Sequence, residues 1–186
     1  MTDTDERKLV AEICAGSREA FERLLDIHES RVYGVCRGMV GEQEAEDAAQ
    51  DALIEVYKSI GGFRGQSSLS TWVYRIAVNV CLQRRRKSTP DTIPIDEAER
   101  VPDPTANPGK SAESGETRDR INSALAALPE FQRDVVVLHE LHGLTYGECA
   151  SALGCPVGTV KSRLSNAFRR LRELLRDYAP ESGVAI

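Results

Sequence analysis

Apolar residues recur along this chain at intervals of three and four, and no segment alternates with a period of two over any length. That periodicity predicts helices throughout and no sheet. A short helix over residues 5–15 closes at Gly16. Ser17 is placed to cap a second helix that runs to about residue 39. A third helix, over 42–60, carries an inner stripe of Ala45, Ala49, Ala52, Val56 and Ile60. A fourth, over about 68–87, turns Leu69, Trp72, Val73, Ile76 and Val80 inward. On that wheel Tyr74, Val78, Cys81 and Arg85 point outward, with Arg75 and Asn79 at the border. A helix over 117–128 stops before Pro129, which suits the first turn of the next, running to about residue 142. Thr145 and Glu148 form a capping box for a short helix ending near Gly154. The last helix starts near Pro156 and runs to about residue 178.

The pattern breaks once. Residues 88–116 hold Pro90, Pro94, Pro102, Pro104 and Pro108 and few large apolar side chains. Such a segment buries too little to fold alone and reads as a flexible linker. The expected architecture is therefore all-α, with two small helical domains, 1–87 and 117–186, joined by the linker 88–116. The order of helix 145–153, tight Gly154–Cys155–Pro156 turn and long helix is that of a helix-turn-helix. The second domain is accordingly expected to be a winged-helix-like, four-helix DNA-binding unit.

On the last helix, Val157, Val160, Leu164, Ala167, Leu171 and Leu174 share one face. Gly158, Ser162, Ser165, Asn166 and Arg169 lie opposite, flanked by Lys161 and Arg172 on one side and Arg163 and Arg170 on the other. Small polar residues edged by cations suit entry into a major groove. The free N–H groups near Gly158 suit a phosphate.

Charge changes the picture next. The formal net charge of the chain is -5. Residues 1–60 hold 7 basic and 14 acidic side chains, whereas residues 61–87 hold 6 basic and none acidic. The linker is acidic again. A basic block on an acidic chain points to a polyanion at that block and to another kind of partner at the acidic faces. The block also interleaves Phe63, Trp72 and Tyr74 with its cations and opens with the glycine-rich loop 61–67. Those residue types hold unpaired bases by stacking. On the helix before it, Ile54 sits among Asp47, Gln50, Asp51 and Lys58 on the exposed face, the composition of a docking site for a basic protein.

Other chemistries find less support. No run of apolar residues is long enough to span a bilayer, and the first ten residues lack the apolar core of a signal peptide. A cytoplasmic location is expected. Five widely spaced cysteines with no CxxC pair suit reduced thiols. His139, His142, Cys149 and Cys155 do not have the spacing of a standard zinc finger. The acids around Asp47–Asp51 have no His or Lys in a catalytic spacing. No metal, cofactor or enzymatic activity is expected. A stand-alone helix-turn-helix repressor and a protein-interaction adaptor are the remaining alternatives.

Taken together, EDAAQDALIEVYKSIGGFRGQSSLSTWVYRIAVN (46–79), the opening SREAFERLLDIHESRVYGVC (17–36) and ALPEFQRDVVVLHELHGLTYGECASALGCPVGTVKSRLSNAFRRL (127–171) resemble a bacterial extracytoplasmic-function (ECF) sigma factor of the compact two-domain class. The resemblance implies a monomer that binds core RNA polymerase and confers promoter specificity. It places polymerase binding on Asp47, Gln50, Asp51, Ile54 and Lys58. It places recognition of a melted −10 element on Phe63, Arg64, Gly65, Gln66, Ser67, Ser68, Trp72, Tyr74, Arg75, Asn79, Arg84, Arg85 and Arg86, with Lys87 along the backbone. It places duplex −35 recognition on Gly158, Thr159, Lys161, Ser162, Arg163, Ser165, Asn166 and Arg169, with Lys161, Ser162, Ser165 and Asn166 facing bases and Arg163 and Arg169 holding phosphates. It also implies a stress-responsive role, control by an anti-sigma factor, and an acidic linker lying in the polymerase channel used by RNA. The sequence departs from the pattern at Asn166, where the family often has Arg, at Gly147, often Glu, and at Cys149, usually aliphatic. Asn favours adenine where Arg favours guanine, so an altered −35 preference is expected.

Overall fold

The computed structural model describes residues 3–88 and 113–176. Most of the expected linker, 89–112, and the expected end of the last helix lie outside the described residues. Four helices build the first domain: α1 (Asp3–Cys14), α2 (Arg18–Val40), α3 (Glu42–Ser59) and α4 (Leu69–Ser88). Four more build the second: α5 (Glu113–Ala126), α6 (Glu130–Val136), α7 (Tyr146–Leu153) and α8 (Val157–Leu174). No strand occurs among the described residues. α5 begins at Glu113, inside the span expected to be linker.

Local signals set the breaks. Ser17 Oγ accepts from the Ala20 N–H at 3.2 Å and starts α2. Gly41, at φ +86°, separates α2 from α3 in a conformation that a side chain would strain. Thr145 and Glu148 close the capping box on α7, and Gly154 at φ +64° ends that helix. The buried face of α3 is Ala45, Ala48, Ala49, Ala52 and Val56. Small side chains there let α3 lie close along α2, whose Leu24, Val32, Val35 and Met39 fill the first core. Glu6 ties α1 to this unit, its carboxylate accepting from the Leu69 N–H at the start of α4 at 2.9 Å.

α4 is covered on both sides. Its inner face packs on α2 and α3, and its other face packs under α7. The outward positions expected for Tyr74, Val78, Cys81 and Arg85 are therefore corrected. Tyr74, Val78 and Cys81 are buried, and Arg85 is largely so. A helical wheel reports one stripe per helix, and here the second stripe meets another domain 45 or more residues away in sequence. The same packing explains five consecutive buried residues, Asp134, Val135, Val136, Val137 and Leu138. One side of that segment meets α8 and the other meets α2. There α6 widens into a π turn over Val137–Leu141. Its carbonyls accept from His142, Gly143 and Leu144 at 3.0–3.1 Å.

The approach of the two domains depends on Gly34 and Gly38, one turn apart on α2. A Cβ on Gly38 would lie 2.7 Å from both Val137 methyl groups, and one on Gly34 would lie 2.8 Å from His142 Cε1. Polar links seal the seam. Arg85 donates to Asp134 at 2.6 Å and to Glu130 at 3.2 Å. Thr71 Oγ1 donates to Glu148, the same carboxylate that caps α7. Within the first domain, Arg31 of α2 donates to the Tyr74 hydroxyl at 3.4 Å and holds that ring at the seam. His142 stands beside Tyr74, with ring centroids 6.4 Å apart.

His28 is 1% exposed, and neither ring nitrogen has a hydrogen-bond partner among the described residues. Burial, then the nearby Arg31 cation, holds its pKa below the ordinary 6.5. Burial also lowers that of His142, with a hydrogen bond to the Gly34 backbone acting in the opposite sense.

Two predictions follow from this seam and core. Gly38→Leu raises the intrinsic helix propensity of α2 by about 1 kcal/mol yet collides with Val137. X-ray scattering should show an expanded chain while far-ultraviolet circular dichroism shows unchanged helix content; an unchanged radius would contradict the close-packed seam. The second concerns acid. A histidine whose folded pKa lies below its unfolded 6.5 binds fewer protons when folded. Its destabilising effect is absent above 6.5 and grows as the pH falls towards the folded pKa. Denaturation midpoints should fall between pH 7.5 and 5.5, and His28→Leu should flatten that slope. Equal slopes in the two proteins would count against a neutral, buried His28.

Candidate polymerase and nucleic-acid surfaces

α3 presents Asp47, Gln50, Asp51, Ile54 and Lys58 on one exposed ridge. Ile54 is 46% exposed, and the neighbouring Tyr57 is 55% exposed. Tyr57 meets Phe21 edge-on, with ring centroids 4.7 Å apart. The wheel singled out Ile54 but passed over Tyr57, whose ring stands on the flank of the same ridge. Between α3 and α4 runs an open groove of about 540 Å³, lined by Asp51, Ile54, Lys58, Trp72, Asn79 and Arg84 among others. The ridge expected to meet protein and part of the surface expected to meet DNA thus share one groove.

The loop leading into α4 turns at Gly65, φ +67°. Arg64, Gln66 and Ser68 are exposed there, whereas Gly65 and Ser67 are half-buried. Ser68 Oγ accepts from the Thr71 N–H at 3.1 Å and so caps the helix. Phe63 and Trp72 are half-buried and meet edge-on at 5.7 Å. Each ring supports the other while one side of Trp72 faces the groove. Arg75 and Asn79 are exposed one turn apart.

The basic end of α4 divides into three environments. Arg84 pairs with Asp51 across the groove, its Nε donating at 3.1 Å. Arg85 is turned the other way, into Asp134 and Glu130. Arg86 and Lys87 are exposed. The run RRRK, uniform in sequence, is thus divided among the first domain's acids, the second domain's acids and solvent. Tyr74 and Arg85 do not join the exposed residues of this surface.

α8 presents Gly158, Lys161, Ser162, Ser165, Asn166 and Arg169 to solvent, with Thr159 half-buried. A Cβ on Gly158 would meet nothing within 4 Å. The fold itself does not require a glycine there, which leaves close approach from outside as its use. Lys161 lies 5.6 Å from the centre of the Tyr146 ring, whose other neighbour, His139, stacks at 4.4 Å. Ser162 Oγ donates to the Thr159 carbonyl at 3.0 Å. Arg169 donates to Asn166 Oδ1 at 3.0 Å. Arg163 is half-buried, 5.4 Å over the Phe131 ring and 3.9 Å from Cys155 Sγ, so its cation already has an aromatic seat. The apolar face of α8 is buried at Val160, Leu164 and Ala167, while Val157 and Leu174 at its ends stay exposed.

The histidines and cysteines weighed for zinc face different neighbours. His139 Nδ1 donates to the Leu144 carbonyl at 2.6 Å, since a carbonyl oxygen only accepts. His142 packs at Gly34. Cys149 is buried, and burial pushes its thiol up to about 11. No helix among the described residues is long and apolar enough to cross a membrane.

Comparison with known proteins bears on the whole chain. The family described as Sigma-70 region 2 matches residues 24–90, and Sigma-70, region 4 matches residues 118–171. The RNA polymerase sigma-H factor of Pseudomonas aeruginosa is 34% identical, over 98% of this chain and 100% of that protein. The ECF RNA polymerase sigma factor SigW of Bacillus subtilis is 33% identical, over 92% and 97%. Among solved structures, the sigma factor RpoE of Bartonella quintana, in complex with the anti-sigma factor NepR, is 27% identical with a TM-score of 0.63, covering 86% of this chain and 98% of that one. With both regions matched in order and relatives aligned nearly end to end, the chain belongs to the extracytoplasmic-function sigma factors of the sigma-70 family, which are transcription initiation factors and not enzymes.

Proposed function

We propose that this chain binds core RNA polymerase through the α3 ridge, reads a melted −10 element on the loop 63–68 and the exposed side of α4, and reads a duplex −35 element with α8. The observation that carries the reading is the segregation of charge across one groove. The acids Asp47 and Asp51 lie on α3, while α4 and its loop hold cations and no carboxylate. A single strand on the α4 side would meet Arg64, Arg75, Arg86 and Lys87 without opposing a phosphate with an acid. Phe63 and Trp72 back a stacking site there, with Gln66, Ser67, Ser68 and Asn79 as hydrogen-bonding groups for a displaced base.

Arg84 and Arg85 enter this reading as exchangeable cations. Asp51 and Asp134 occupy them in the packed chain, and phosphates replace those carboxylates on the promoter. Tyr74 supports α4 from beneath and is not a base contact. On α8, Lys161, Ser162, Ser165 and Asn166 face base edges, Arg169 lies beside them, and Gly158 with Thr159 offers helix N–H groups to a phosphate.

Packing the domains together leaves the α3–α4 groove and the α8 face open, so both remain available to an inhibitor as well as to polymerase. An anti-sigma factor that covers the groove is the regulator this surface fits. The Bartonella relative is in complex with an anti-sigma factor, which supports a regulator of that class. Release of the inhibitor under stress would then switch the chain on.

Run-off transcription with core polymerase on a pool of randomised promoters tests the reading. A paired −35 and −10 motif should be enriched. Asp51→Arg should lower all transcription at least about tenfold, the scale of losing a central interface contact. Lys161→Ala combined with Asn166→Ala should instead erase the −35 motif while polymerase binding persists. Duplex binding as a dimer on a palindrome, without polymerase, would point to a repressor instead.

A further inference from the structure

We infer that Arg169 sets the base preference of Asn166, by engaging the amide carbonyl so that the amide N–H groups are what Asn166 offers to DNA. This rests on the reading of α8 as the −35 helix. Both side chains are exposed on its outer face, three residues apart, where helical neighbours meet. The Arg169 Nη2 group donates to Asn166 Oδ1 at 3.0 Å. The chemistry fixes which end of the amide faces the guanidinium. Arginine has five donors and no acceptor, so its partner atom is the oxygen.

A free asparagine matches adenine with two bonds, its oxygen accepting from N6 and its nitrogen donating to N7. Here one of the two lone pairs of the oxygen is taken by a cation. Adenine N6, coming to the other, brings its hydrogens alongside the N–H groups of Arg169, donor beside donor. The favoured approach is then to the donor half of Asn166 next to further guanidinium donors. Guanine presents two acceptors, N7 and O6, at the major-groove edge; thymine presents O4; cytosine presents a donor. The Asn166–Arg169 pair therefore selects guanine first and thymine second, against the adenine that Asn166 alone would favour. Two residues together provide the donor face that a single arginine at position 166 would provide.

The surroundings define what could undo the pairing. Asn166 and Arg169 share a polar niche with Gln132, Arg170 and Glu173. Gln132 is buried, and its Oε1 has no hydrogen-bond partner among the described residues. Arg169 turned to Gln132 or Glu173 would free the carbonyl and restore adenine. The base selected at one position thus reports which partner Arg169 holds when DNA is bound.

The test uses the full chain with core polymerase and a promoter pool randomised across the −35 region. In the wild type, guanine should exceed adenine about tenfold at the one position that Asn166→Ala flattens, the scale of one well-made base contact. Arg169→Ala should move that position towards adenine, with the other positions unchanged, and Arg169→Lys should retain part of the guanine preference. Asn166→Asp keeps a partner for Arg169 but offers no donor, so it should lose guanine without gaining adenine. Adenine in the wild type overturns the inference. So does uniform weakening by Arg169→Ala with the preference intact, which would make Arg169 a phosphate contact only. If no −35 position is enriched and Asn166→Ala changes nothing, the −35 reading fails and the inference falls with it. That outcome differs visibly from a site that is read but reads adenine.

Discussion

Asp134 lies almost wholly inside the protein, and Arg85, from the other domain, is the group that makes this burial tolerable. Burial holds the carboxyl above the usual carboxylate range, and Arg85 opposes that rise without cancelling it. Removing one partner from a buried pair leaves an uncompensated charge, at a cost of about 3–5 kcal/mol. The pair also joins residues 49 positions apart in sequence, so it exists only when the two domains are docked. Around it lie the apolar contact of Val137 with Gly38, the His142–Gly34 approach and the Thr71–Glu148 bond. Charge pairing makes this seam specific, and the glycines of α2 make it close.

Docking explains which surfaces are open and which are closed. The second face of α4 is spent on the seam, so Tyr74, Val78 and Cys81 are core and Arg85 is committed. The groove between α3 and α4 lies on the opposite side and stays open, as does the outer face of α8. A chain built this way keeps its candidate protein-binding ridge and its candidate duplex-reading helix accessible while tying up part of its cation run. A polyanion competing for Arg84 and Arg85 competes with specific carboxylates, Asp51 and Asp134, and not with water alone.

Much of this was legible in the sequence because it is local. Ser17, Gly41, Pro129, the Thr145–Glu148 box and Gly154 act within a few residues of themselves, and the helices begin and end near them. The alanine stripe of α3 and the polar face of α8 follow from helical period alone. The resemblance carried by FRGQSSLSTWVYRIAVN and CPVGTVKSR supplied the family. What was not legible depends on long-range packing. A wheel could not show that α4 has two buried faces, that Val135–Leu138 is enclosed on all sides, or that Gly34 and Gly38 form a seat for another domain. It shows that Arg84, Arg85 and Arg86 diverge by about 100° from one to the next, but not that acids of the first domain, acids of the second and solvent lie in those directions. The linking of Asn166 to Arg169 fits the i, i+3 spacing, but the spacing alone does not say which side chain controls the other.

The most direct measurement is the distance between the domains in solution, read by single-molecule fluorescence transfer between dyes at the exposed positions Ser30 and Ser151. For the free chain a single, short-distance population is expected, giving way to a longer one when core polymerase and promoter DNA are added. A free chain that samples broad, long distances, or a distance that promoter binding leaves unchanged, would contradict a docked resting form whose acids give up their arginines to DNA.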